Sequence, residues 1–145
     1  HFAGKPGGKT VFVTEGPLKG DLSHALSGRT FFCVPGVNQA LNLVPVLKEM
    51  KALGTSFVYE TYDMDKLLSP VCHGDYNQCI PCERKQIKRN NIKRGCNKLA
   101  EICKELGLEG RTLTWDTDDD GNWSENVKGV DDYLVSIRKP KFREI

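Results

Sequence analysis

Four short runs rich in β-branched and aromatic residues, each followed by a stretch of helical periodicity, restrict this chain to few architectures. The runs are residues 10–14 (TVFVT), 30–34 (TFFCV), 55–61 (TSFVYET) and 111–115 (RTLTW). The first, compact and apolar, has the character of a strand covered on both faces rather than of a sheet with one wet side. After the first, residues 17–26 place Leu18, Leu22, Ala25 and Leu26 on one helical face and stop at Gly28. After the second, a helix is expected from Asn38 to Met50, bent at Pro45 and halted at Gly54. After the third, residues 85–106 carry the apolar stripe Ile92, Leu99, Ile102, Cys103 and Leu106 before Gly107. Residues 130–137 form the last helical pattern. Strand and helix alternating four times predict an α/β domain: a mostly parallel four-stranded sheet with helices on both faces. With 145 residues, 39% of them hydrophobic, the chain suffices for one domain with its own core. An irregular, cysteine-rich insertion is expected at 66–84.

Charge and hydropathy remove some function classes. A net charge of +2 names no partner by itself. No apolar run approaches the roughly 20 residues of a membrane span, and no secretory leader is recognisable. The chain opens on His1 rather than Met. These features predict a cytoplasmic domain cut from a longer protein, with other domains of that protein as neighbours and no membrane partner.

In open parallel sheets, ligands gather beyond the carboxyl ends of the strands. Glu15-Gly16 follows the first strand, Asp63-Met64-Asp65 the third, and Asp116 the fourth. Carboxylates collected on one rim repel unless a cation joins them. Asp63 and Asp65, two apart, project to the same side of an extended chain and can then share one Mg²⁺ or Mn²⁺. Glu15 approaches from the neighbouring strand, and Gly16 lets the backbone turn away. The alternative is that these residues cap the helices that follow.

Four segments in order, residues 13–19 (VTEGPLK), 34–38 (VPGVN), 62–65 (YDMD) and 128–134 (KGVDDYL), resemble the Toprim domain of primases, topoisomerases and related nucleases. The finer similarity is to the Toprim-like domain of phage and plasmid replication proteins. The resemblance spans residues 13–134 and implies a Toprim-like, Rossmann-like fold. It also implies a general acid or base at Glu15 and a magnesium-holding pair at Asp63 and Asp65. Lys19 becomes a candidate phosphate contact in the catalytic group, with a solvated helix lysine as the alternative, and Asp131 and Asp132 resemble a terminal acidic motif. For those two, charge complementing a helix N-terminus is the alternative. The long stretch after Asp65 departs from primases, and no tyrosine stands in a topoisomerase-like context.

Cys33 and Cys103 are expected as small buried hydrophobes. Cys72, Cys79, Cys82 and Cys96 have the spacing C-x6-C-x2-C-x13-C, within the range of structural zinc sites, with free thiols or a disulfide as alternatives. Arg84, Lys85, Lys88, Arg89, Lys93, Arg94 and Lys98 put seven positive charges on one helical stretch without an acidic residue. Such a stretch either contacts nucleic-acid phosphates or forms a solvated face. Asp116 to Gly121 imitates the start of a calcium loop, but Val127 stands where the closing glutamate belongs, so a turn is the simpler reading. Two functions are therefore expected. One is a Mg-dependent phosphoryl-transfer domain of the primase or nuclease type, acting on DNA or RNA in mobile-element replication. The other is a non-catalytic nucleic-acid-binding module using the basic helix and a zinc knuckle.

Overall fold

The computed structural model describes residues 1–39, 42–67, 80–119 and 123–138. The elements run β1 (Phe2–Ala3), β2 (Thr10–Glu15), α1 (Pro17–Ser27), β3 (Phe31–Val34), α2 (Leu43–Ala52), β4 (Phe57–Glu60), α3 (Ile80–Leu106), β5 (Glu109–Thr112) and α4 (Val130–Arg138). Short 3₁₀ turns occupy Met64–Lys66 and Glu125–Val127. The sheet order is β1-β3-β2-β4-β5. The last four strands in that order are parallel, as expected. The sheet is nonetheless five-stranded and mixed, because β1 pairs antiparallel with β3. A two-residue strand carries no periodicity, which is why the sequence hides it.

β3 shows how a strand without polar alternation serves two cores. Phe32 and Val34 join Val11, Val13 and Val58 beneath α2 and α3. Phe31 and Cys33 face the opposite layer with Met64, Trp115 and Val130. Across that second face, Phe12 stacks on Phe31 and on Tyr59, each at 5.3 Å between ring centres, and the register places them side by side. The stripe expected on α3 is found: Ile92, Leu99, Ile102 and Cys103 are buried. The helix begins at Ile80, earlier than the expected Lys85, so the irregular insertion ends sooner than position 84. Positions 68–79, including Cys72 and Cys79, lie outside the described residues.

α1 contradicts its pattern. Leu18 is 85% exposed and Leu22 42%, while Gly20 and Ser23 are buried. A Cβ at Gly20 would overlap Cys33 Sγ, so only glycine lets this helix settle on β3. The small residues face the sheet and the leucines face outward. α2 begins at Leu43 rather than Asn38, which puts Pro45 in its first turn, where the lacking N–H is no loss and causes no bend.

Candidate functional site

β3 and β4 flank β2 on opposite sides, so the chain reverses direction across the sheet at β2. A crevice opens beyond the carboxyl ends of strands at such a reversal. Gly16, at φ 85°, turns the backbone from β2 directly into Pro17 at the start of α1. Its N–H donates to the Val34 carbonyl at 2.8 Å, tying the end of β2 to that of β3. Thr61 closes the other side, its N–H and hydroxyl both donating to the Val13 carbonyl at 2.9 and 2.8 Å. Between these anchors lies a cleft of about 610 Å³ whose lining includes Glu15, Lys19, Asn38, Asp63, Lys88 and Asn91.

Glu15, Lys19 and Asp63 line this one cleft. Lys19 Nζ, one turn into α1, donates to Asp63 Oδ1 at 2.5 Å. Asp65 does not lie beside Asp63 as an extended chain would place it. It sits in the Met64–Lys66 3₁₀ turn, where residues two apart point in different directions. Asp65 Oδ2 stands 3.1 Å from Lys88 and 3.7 Å from Lys128, ion-pair distances, yet receives no aligned hydrogen bond. Asp65 in turn raises the Lys88 ammonium above its ordinary pKa.

The C-terminal acidic pair arrives at the same rim. The Met64 N–H donates to the Lys128 carbonyl at 2.9 Å, which fastens the approach to α4 against the turn. A Cβ on Gly129 would meet Asp131, Asp132 and, at 3.5 Å, Asp63 Oδ1, so three carboxylates surround one point that glycine leaves open. Asp132 caps the Gly129 N–H at 3.0 Å. Asp131 makes no such bond: its Oδ1 is buried without a hydrogen-bond partner. Burial first, and the Asp132 charge second, raise its pKa above the ordinary carboxylate range. Sequence reasoning missed this convergence on Gly129, although Lys128-Gly129-Val130-Asp131-Asp132 is the contiguous segment that builds it.

Other candidates are not brought together. Asp116, at φ 51°, lies in a separate cleft with Asp118 and Trp123. Asp120 and Gly121 fall outside the described residues. Cys82 and Cys96 fall fourteen positions apart on the same helix, and the side chain of Cys82, like Cys72 and Cys79, lies outside what is described. Cys96 packs against the core, where burial and then the Glu60 charge push its thiol up to about 12. Among the described residues, no three of His, Cys, Asp and Glu stand close enough to hold a metal ion unaided. No helix there is long and apolar enough to cross a membrane. Of the basic residues, Lys88 reaches the acidic cleft, and Arg84, Lys93, Arg94 and Lys98 are exposed on α3; Arg89 is half-buried, and the side chain of Lys85 is not described.

The feature that sequence reasoning missed outright is Glu60 with Lys66. Lys66 Nζ donates to both Glu60 oxygens at 3.0 and 3.1 Å and to the Leu113 carbonyl at 2.6 Å. It also lies 5.2 Å from the Trp115 ring centre. The Tyr62 N–H donates to Glu60 Oε1 at 2.7 Å. This pair ties β4 to the residue after β5 and fixes the start of the turn carrying Asp63 and Asp65. The fold and site together define a doubly wound α/β domain with an acid-and-lysine crevice at its reversal point. Comparison with protein-family models, curated proteins and solved structures finds no match.

Proposed function

We propose that this chain is a Toprim-like, divalent-metal-dependent phosphoryl-transfer domain acting on nucleic acid, of the kind found in phage and mobile-element replication proteins. The observation that carries the reading is the approach of Asp63, Asp131 and Asp132 to one point at Gly129, with Glu15 lining the same cleft as Asp63. Carboxylate oxygens are the donors that Mg²⁺ and Mn²⁺ prefer. A buried Asp131 oxygen without a hydrogen-bond donor is an acceptor that a cation, or the carboxyl's own proton, can satisfy. Asp63 and Asp131 are the ligands this chain offers, with Asp132 held partly by its cap and Asp65 joining only by leaving Lys88. A bound divalent ion supplies Lewis-acid polarisation of a phosphoryl oxygen. Glu15, across the cleft, is placed to take or return a proton. Lys19 offers a point charge to phosphate once it parts from Asp63.

The rival reading, a non-catalytic nucleic-acid-binding module, draws on the ion pairs themselves. Asp63 holds Lys19, and Asp65 holds Lys88 and Lys128, so the acids can serve simply to position cations. Incubating single-stranded DNA or RNA, with and without nucleoside triphosphates, in Mg²⁺ or Mn²⁺ separates the two. The first reading expects metal-dependent cleavage or extension, abolished by Asp63→Asn and strongly reduced by Glu15→Gln. Oligonucleotide binding with no turnover under any of these conditions favours the second.

A further inference from the structure

The acidic cleft does not end at Lys88. A second cleft of about 640 Å³ continues along α3, lined by Val37, Asn38, Arg94, Asn97, Lys98 and Glu101 among others. Val37 and Asn38 line both clefts, so the two meet under the segment that follows β3. In the second cleft that segment packs directly on Gly95. A Cβ there would lie 2.5 Å from the Val37 carbonyl oxygen and 2.9 Å from Val37 Cβ, so a glycine is required for the close approach.

The walls of the joined groove are chemically mixed. Lys88, Arg94 and Lys98 supply positive charge, and Asn38, Asn91 and Asn97 supply amides that both donate and accept. Arg94 has no carboxylate partner among the described residues. Among the described residues, Lys98 pairs only with Glu101 at 3.4 Å, near the far end. Lys93 lies about 140° around the helix from Lys88 and Lys98, away from the groove. The charge on α3 is therefore divided, and only part of it borders a channel that leads to the carboxylates.

We infer that this groove is the track of a single-stranded nucleic acid, with Arg94 and Lys98 on its phosphates and Asn38 and Asn97 on its base edges. Cations and amides along one wall suit a ligand that presents phosphate and open base edges together, and a single strand leaves all of its base edges open. Lys88 to Lys98 covers about 15 Å of helix axis, room for about four nucleotides at a stacked spacing of roughly 3.4 Å. The inference rests on nucleic acid being the partner, as proposed above, but not on the metal chemistry.

The test is binding of a short fluorescent oligothymidine to the whole chain in chelator across a salt series. Arg94→Gln with Lys98→Gln should weaken binding and make the slope of log affinity against log salt shallower by about 1.4, two single-strand phosphate contacts at roughly 0.7 each. Lys93→Gln with Lys104→Gln, an equal charge change on the other side of α3, should leave the slope within error of wild type. Asn38→Ala should weaken binding without changing the slope. Circular dichroism of each variant confirms that it is folded. If wild type binds and both double variants weaken alike, or a duplex of equal length binds as well, the groove assignment is wrong. If wild type binds no oligonucleotide at low salt, the nucleic-acid reading falls with it.

Discussion

Within seven residues, from Glu60 to Lys66, the chain treats its carboxylates in two ways. Glu60 and Lys66 are sealed, their side chains only 5% and 3% exposed, and the bonds from Lys66 to Glu60 and to the Leu113 carbonyl hold strand ends together. Asp63 with Lys19 and Asp65 with Lys88 stand at the rim, where Lys19 is 22% exposed and Lys88 51%. A buried pair has no solvent to replace a lost partner, so its members are committed to one another. Asp63 and Asp65 are themselves only 17% and 13% exposed, so these pairs lie between a sealed pair and a solvated one and give up a partner more readily than Glu60 and Lys66 do. The first arrangement builds a platform and the second leaves ligands available on it.

That contrast is open to direct attack. Lys66→Met, which strands the Glu60 charge in the interior, should destabilise the fold by about 3–5 kcal/mol in denaturant unfolding. Adding Glu60→Gln should recover a large part of the loss, since the buried charge is then gone. If the two substitutions simply add, the pair is not coupled as described. Next in size, Gly20→Leu should cost more than about 2 kcal/mol by forcing α1 off Cys33, whereas Leu18→Ala, on the exposed side, should stay within about 0.5 kcal/mol. At the rim, Lys19→Met should change stability by at most about 1 kcal/mol.

Asp131 gives the smallest effect and the sharpest sign. Its carboxyl has a raised pKa in the folded chain, so its stabilising contribution is complete when it is protonated, below the unfolded value near 3.9, and is lost as pH rises through the folded value. Asp131→Asn should therefore raise the Tm of the metal-free protein at pH 7, and the advantage should vanish near pH 4. A variant less stable than wild type at pH 7 would show that Asp131 has a structural partner.

Much of this architecture was legible from the chain. The first three runs give β2, β3 and β4, whereas the fourth is displaced, β5 being the exposed Glu109–Thr112 rather than residues 111–115; Ile92, Leu99, Ile102 and Cys103 give the inward face of α3. What escaped did so for physical reasons. Period-3.6 reasoning assumes that large apolar residues face inward, and α1 inverts it because its close seat on β3 admits only Gly20 and Ser23. Period-2 reasoning assumed an extended Asp63-Met64-Asp65, whereas the 3₁₀ turn separates the two carboxylates. Glu60 and Lys66 looked like ordinary surface charges because pairing across a short turn leaves no periodic signature. Glu15, Lys19 and Asp63 were legible because each follows a strand end within a few residues, and strand ends share one rim. The approach of Asp131 to that rim depends on the Met64–Lys128 bond, which no local pattern encodes.

The central claim is that the rim carboxylates form a divalent-cation site that Lys19 guards in the free protein. Calorimetric titration of Mn²⁺ into wild type, Lys19→Met and Asp63→Asn addresses it most directly. One site per chain is expected in wild type, tighter in Lys19→Met because Asp63 is released, and weaker by on the order of tenfold or more in Asp63→Asn. No Mn²⁺ binding in wild type, or an affinity that neither substitution moves, would contradict it.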